Sequence, residues 1–120
     1  MQVSNPATPD RESFRHALTA ERNALRADDA ASAAERKPVV LDQQSVGRLS
    51  RMDAMQVQAM AVATGERRQA RIRRIEAALK RIETGEFGLC VTCGEDIVPK
   101  RLALDPAVAT CITCAKGGAQ

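Results

Sequence analysis

Residues 72–84 read Ile72-Arg73-Arg74-Ile75-Glu76-Ala77-Ala78-Leu79-Lys80-Arg81-Ile82-Glu83-Thr84. Ile72, Ile75, Leu79 and Ile82 recur at steps of three, four and three, which puts them on one stripe of an α-helix with the spacing of a coiled-coil seam. Upstream, the chain runs from about Ser45 without proline, with Gly47 near its start and one glycine, Gly65, well inside it. Val46, Leu49, Met52, Met55, Ala59 and Met60 extend the apolar face less regularly, and we read this Met-rich part as seam packing. Gly85 follows as the C-cap. A helix of about 40 residues spans roughly 60 Å and cannot bury such a seam alone.

The partner lies in the first third of the chain. Thr8-Pro9-Asp10 reads as a helix start, with Thr8 as N-cap and Pro9 at the first helical position. Phe14, Leu18 and Leu25 then share one face, flanked by Ala17, Ala20 and Ala24, and the pattern runs to about Arg36. Lys37-Pro38 stops it, because the proline ring disfavours helical geometry at Lys37 and removes a donor. Residues 38–44 read as an extended connector, with Asp42 or Ser45 able to cap the second helix. The fold class is therefore mostly α: an antiparallel helical hairpin over residues 9–84 with its tip near 38–48, preceded by a frayed arm over 1–8. A small four-cysteine globule over 85–116, whose spacing is that of a zinc finger with Cys90, Cys93, Cys111 and Cys114 in two C-x-x-C pairs, and a tail over 117–120 complete the chain.

Composition agrees with this economy. Of 120 residues, 44% are hydrophobic but only 2% aromatic, namely Phe14 and Phe87, so a thick core is hard to build. The longest near-apolar stretch, Ala59–Ala63, falls far short of the roughly 20 residues of a membrane span. The first residues carry neither the basic nor the apolar region of a secretory signal, so the chain reads as soluble and cytoplasmic. The net charge of +3 is uneven: residues 46–84 hold nine Lys/Arg against four Asp/Glu, a balance of +5. That excess can meet phosphate or an acidic protein surface, or can be a solvated helix face. The scarcity of aromatics argues against base-stacking recognition of single strands.

Chemistry is concentrated in the cysteines. Cys90-Val91-Thr92-Cys93 and Cys111-Ile112-Thr113-Cys114 are two C-x-x-C pairs separated by 17 residues, and no other cysteine is present. This is the spacing of a four-cysteine zinc site, with each pair placing two thiolates on one side of a tight turn. Gly94 lets the first turn close. A disulfide framework does not suit an intracellular chain, and a thioredoxin-like site wants a βαβ context that is missing. Four protein ligands leave no open position, so one structural Zn²⁺ is expected. His16, the single histidine, reads as a surface residue. Ser45 and Ser50 have no histidine nearby in sequence, Ser13 has only the surface-read His16, and no phosphate-binding glycine motif occurs, so no enzyme is expected.

Together, Ile75–Ile82, Gly85-Glu86-Phe87-Gly88-Leu89-Cys90, Cys93-Gly94-Glu95-Asp96-Ile97, Arg101-Leu102, Pro106 and Cys111-x-x-Cys114 resemble the DksA/TraR family of C4-type zinc-finger regulators. Val46–Ala54 is similar to a stretch typical of its shorter members. The resemblance implies a bacterial regulator that binds RNA polymerase, without sequence-specific DNA binding, as a monomer, and inserts its coiled-coil tip into the secondary channel. Arg67, Arg68, Arg71 and Arg74 fall on neighbouring turns of the second helix outside the seam and are expected to contact an acidic polymerase surface, Arg67 and Arg74 being the positions that match functional family residues; at the tip, Asp42, Arg48, Arg51 and Asp53 are the expected contacts. Longer members carry two acids at the tip, and at the matching Gly47–Met52 both are absent. The family's site for the alarmone ppGpp maps onto Arg74, Asp105 and Ala115; one acidic and one apolar replacement predict binding largely independent of ppGpp. From the residues alone, a zinc-ribbon nucleic-acid binder using the 67–81 arginines and a redox or zinc-buffering protein are the competing readings.

Overall fold

The computed structural model describes residues 10–36 and 48–117. Helix α1 spans Arg11–Ala31, and a 3₁₀ turn over Ala33–Arg36 follows it. Helix α2 spans Arg48–Thr84, and two short helices, α3 over Pro99–Leu104 and α4 over Ile112–Ala115, lie in the cysteine segment. The described residues contain no strand, only an isolated antiparallel bridge between Leu89 and Asp96. The molecule is elongated, 72 × 34 × 23 Å. No described helix is long and apolar enough to cross a membrane.

The N-cap of α1 is Asp10, whose carboxylate accepts a hydrogen bond from Ser13 N at 2.8 Å. This corrects the expected cap at Thr8, which itself lies outside the described residues. Asp is the better cap by charge as well, since it faces the positive end of the helix dipole. The far end of α2 closes as expected at Gly85, whose φ is +82°. Glu86 N donates to Arg81 O at 2.9 Å and Gly85 N to Ile82 O at 3.4 Å, so two carbonyls of the last turn are satisfied in a Schellman arrangement.

α1 and α2 pair antiparallel: as residue numbers rise along α1, their partners fall along α2. Glu21 meets Arg71, Asp29 meets Arg68, and Arg36 lies against Gly65. Phe14, Leu18, Ile72, Ile75, Ala78 and Ile82 are buried, with Leu18, Ile75 and Ala78 fully so. Gly65 explains itself here. A mid-helix glycine costs about 1 kcal/mol relative to alanine, but a Cβ at Gly65 would stand 2.6 Å from Arg36 Cδ. The glycine lets the Arg36 side chain cross α2, where it pairs with Asp29 at 3.2 Å while Gln58 Nε2 donates to Arg36 O at 3.2 Å.

Beyond that crossing the expected seam is not found. Met52, Met55, Val57 and Met60 are 57%, 55%, 66% and 63% exposed, so the Met-rich stripe is not seam packing among the described residues. The physical reason is length. α1 has 21 residues against 37 in α2, so the distal part of α2 outreaches its partner. The connector 38–44 and most of the expected tip, 38–48, lie outside the described residues.

Asp29 is the polar hub of the hairpin. It accepts from Arg68 at 3.1 Å and Gln69 at 2.8 Å, and it pairs with Arg36. Burial opposes its ionisation, but these partners outweigh burial and hold its pKa below the ordinary carboxylate value. A folded pKa below the unfolded value of about 3.9 stabilises the fold above that pH, and the contribution is lost as pH falls through the folded value. Asp29→Asn is therefore expected to lower the helix melting temperature by a constant amount above pH 5, with the gap to wild type closing below about pH 4. A gap independent of pH in a circular-dichroism melt series contradicts this role.

Candidate metal centre and its helical base

The four cysteines come together from opposite ends of residues 90–114. The first pair turns on backbone hydrogen bonds: Cys90 N donates to Glu95 O at 2.8 Å, and Gly94 N to Cys90 O at 2.9 Å. Gly94 adopts φ +80°, the left-handed geometry that the turn requires. Cys111 is the N-cap of α4, its sulfur accepting from Cys114 N at 3.5 Å. Val91 N donates to Ala109 O at 2.9 Å and ties the two knuckles to each other.

All four Sγ atoms lie within 4.8 Å of one another. Cys93 Sγ and Cys111 Sγ are 3.8 Å apart, the edge of a tetrahedron whose centre is about 2.3 Å from each sulfur. None of the four is in a disulfide. The donor set and spacing fit one structural Zn²⁺. Cys90 is buried, which opposes ionisation, yet the N–H groups of Cys111, Cys93 and Thr92 prevail and lower its pKa to about 6. Burial together with the other sulfurs pushes Cys114 up to about 12; at Cys93 the Glu95 N–H favours the thiolate, but burial with the Cys90 and Cys111 sulfurs prevails and raises it. Such a set holds protons unevenly until a cation makes four adjacent thiolates tolerable.

The globule is continuous with the hairpin. Cys90, Ile97, Leu102 and Ala107 share one core with Phe14, Leu18, Ile75, Ala78 and Ile82. The Phe14 and Phe87 rings meet at 5.1 Å, so the chain's two aromatics form the joint between α1 and the cysteine segment. Sequence reading assigned Phe14 to the helical face but had no signal for this contact, because nothing local relates positions 14 and 87. Three arginines hold the segment leading to the second knuckle. Arg71 Nη1 donates to Asp105 Oδ1 at 2.9 Å, Arg81 Nη2 to Val108 O at 3.3 Å, and Arg101 Nε to Thr110 O at 2.9 Å.

The expected contact residues divide into two groups. Arg67 is exposed, bonding only to Thr64 Oγ1 at 3.1 Å, and Arg74 is exposed with no partner among the described residues. Arg71, expected on the same outward strip, instead turns inward. Its Nε and Nη2 engage Glu21 at 2.7 and 3.0 Å, and Nη1 engages Asp105. Those two carboxylates raise its pKa further, against burial. Arg68 likewise turns to Asp29. The arginines that flank the seam thus find acids on α1 and the globule. Of the tip residues, Asp42 lies outside the described residues, and Arg48 begins α2. Arg51 is half-buried, its Nε without a hydrogen-bond partner among the described residues, and Asp53 is exposed. Asp105 is occupied by Arg71 and by Ala107 N at 3.1 Å, and Ala115 is exposed on α4. His16 is a surface residue near Glu12.

Comparison with known proteins agrees with this geometry. Residues 85–117 match the family model of the prokaryotic dksA/traR C4-type zinc finger. Over 49 residues the chain is 41% identical to the RNA polymerase-binding transcription factor DksA of Haemophilus influenzae, covering 41% of this chain and 34% of that protein. It is 39% identical to the protein of the same name from Escherichia coli K12 over 49 residues, 41% of this chain and 32% of that one. The matches therefore span about a third of the length of these curated relatives. The fold is similar to that of transcription factor DksA2 from Pseudomonas aeruginosa, with a TM-score of 0.71 at 23% identity, covering 92% of this chain and 90% of that chain. Residues 85–117 are thus a four-thiol zinc finger of the dksA/traR type, seated on a helical hairpin similar in fold to that of DksA2.

Proposed function

We propose that this protein binds RNA polymerase and regulates transcription initiation by presenting the distal end of its hairpin to the enzyme's secondary channel. The observation that carries the reading is the union of a DksA/TraR-type zinc finger with a hairpin whose second helix outreaches the first. At 1.5 Å per residue, the 37 residues of α2 extend about 55 Å. That is a stiff arm with a metal-held base. The base docks on the polymerase exterior and the arm supplies reach. Neither role needs a catalytic group, so the protein acts as a binding regulator in the cytoplasm, as a monomer.

The two outward arginines, Arg67 and Arg74, lie two helical turns apart on one line and are the helix contacts to an acidic polymerase surface. At the tip, Asp53 or Asp42 acts near the active-site magnesium, and Arg48 and Arg51 meet the channel walls. Asp105 and Ala115 replace two basic contacts, so regulation is largely independent of ppGpp. Direct nucleic-acid binding loses its main support, because Arg68 and Arg71 are paired internally. Arg73 and Lys80 project more than about 100° around the helix from Arg67, so the +5 balance of residues 46–84 forms no continuous strip.

Charge reversal tests the assignment. Arg74→Glu and Arg67→Glu are each expected to weaken binding to core polymerase roughly tenfold or more, the loss of at least one charge-assisted contact, with helix content unchanged. Unchanged affinity in both variants contradicts it.

A further inference from the structure

We propose that Arg71 is a positioning residue for the zinc centre: it couples the pairing of the two hairpin helices to the seating of the second cysteine knuckle. The guanidinium uses all three of its nitrogens, each in a different direction of the fold. Nε and Nη2 form a two-point pair with the Glu21 carboxylate on α1, and Nη1 reaches Asp105 at the C-terminal end of α3. A fork with fixed geometry transmits position, because moving one carboxylate tilts the plane that holds the other.

Asp105 passes that position on. The oxygen that accepts from Arg71, Oδ1, also accepts from Ala107 N at 3.1 Å, and Asp105 O accepts from Val108 N at 3.0 Å. Ala107 is buried at 1% exposure in the core shared by hairpin and globule. From there the chain runs through Ala109, whose carbonyl binds the first knuckle, to Cys111. Hydrogen bonds therefore join Glu21 on α1 to residues 107–108, and the covalent backbone carries the path on to Cys111; among the described residues, Arg71 is the only crossing from helix to globule that engages carboxylates on both sides. The neighbouring anchors, Arg81 and Arg101, reach backbone carbonyls and pair with no acid among the described residues. Coupling of this kind is reciprocal: whatever holds α1 on α2 tightens the metal, and the metal tightens α1 on α2.

Zinc-loaded full-length protein is titrated with a competing chelator, and the zinc dissociation constant is measured for each variant at one pH. Arg71→Gln is expected to weaken zinc binding on the order of tenfold, at the low end of what groups behind metal ligands contribute. Glu21→Gln, whose hydrogen bonds among the described residues go to Arg71 on α2, is expected to weaken it severalfold in the same direction, and Arg71→Lys to recover part of the loss. Arg67→Gln, outside the path, is expected to leave it unchanged. The Glu21→Gln/Asp105→Asn double variant is expected to lose less than the sum of its single variants, since both act through one guanidinium. Unchanged zinc affinity in Glu21→Gln and Arg71→Gln, or strict additivity in the double variant, overturns the proposal. These readouts use no polymerase, so they stand or fall separately from the proposed function.

Discussion

Replacing any one of Cys90, Cys93, Cys111 and Cys114 by serine is expected to unfold residues 85–117 while most of α2 remains helical. The buried apolar side chains that this segment adds to the core are few: Ile97, Leu102 and Ala107 beside Cys90 itself. Val91, Val98, Leu104 and Ile112 all face solvent. Such a segment does not bury enough surface to offset its ordering entropy, whereas structural zinc in small fingers contributes about 10–16 kcal/mol to coupled folding. The expected readout is collapse of the amide NMR dispersion of Val91, Ile97 and Leu102 in the serine variants, and the same collapse on exhaustive chelation of wild type. A chelated protein that keeps those dispersed signals contradicts a metal-built globule.

Phe14→Ala is expected to be the most damaging single change outside the cysteines. Phe14 is 5% exposed, packs in the core between α1 and α2, and contacts Phe87 ring to ring. Truncating a buried phenylalanine costs about 3–5 kcal/mol, and here the loss falls on the joint of helix and globule at once. Urea unfolding of the zinc-saturated protein should show a lower midpoint. Leu104→Ala, at a side chain 84% exposed, should stay within about 0.5 kcal/mol of wild type. Equal midpoints for Phe14→Ala and wild type contradict the shared core.

The fold was legible where its signal is local and periodic. The 3-4-3 spacing of Ile72, Ile75, Leu79 and Ile82, Gly85 and the paired C-x-x-C motifs each report on neighbours within a turn or two. What escaped was set by pairing across the fold. Whether Met52, Met55 and Met60 meet a partner depends on how far the first helical arm reaches along α2, and that register shows in Arg36 lying over Gly65, a contact between residues 29 positions apart. Arg67 and Arg71 look alike in sequence, four residues apart on one helix. Only the placement of Glu21 and Asp105 separates an outward cation from an internal staple. The zinc ligands were readable for the opposite reason, since metal geometry constrains spacing within each knuckle.

The central claim is that the protein acts on RNA polymerase through its hairpin and not on DNA. The most direct measurement is equilibrium binding of the zinc-loaded chain to DNA-free core polymerase, with and without another protein that occupies the secondary channel, alongside a salt titration against duplex DNA. The expected result is saturable one-to-one binding to core enzyme that the channel occupant displaces, with no DNA binding at physiological salt. Failure to bind core polymerase, or DNA binding whose affinity falls log-linearly with salt, contradicts the account.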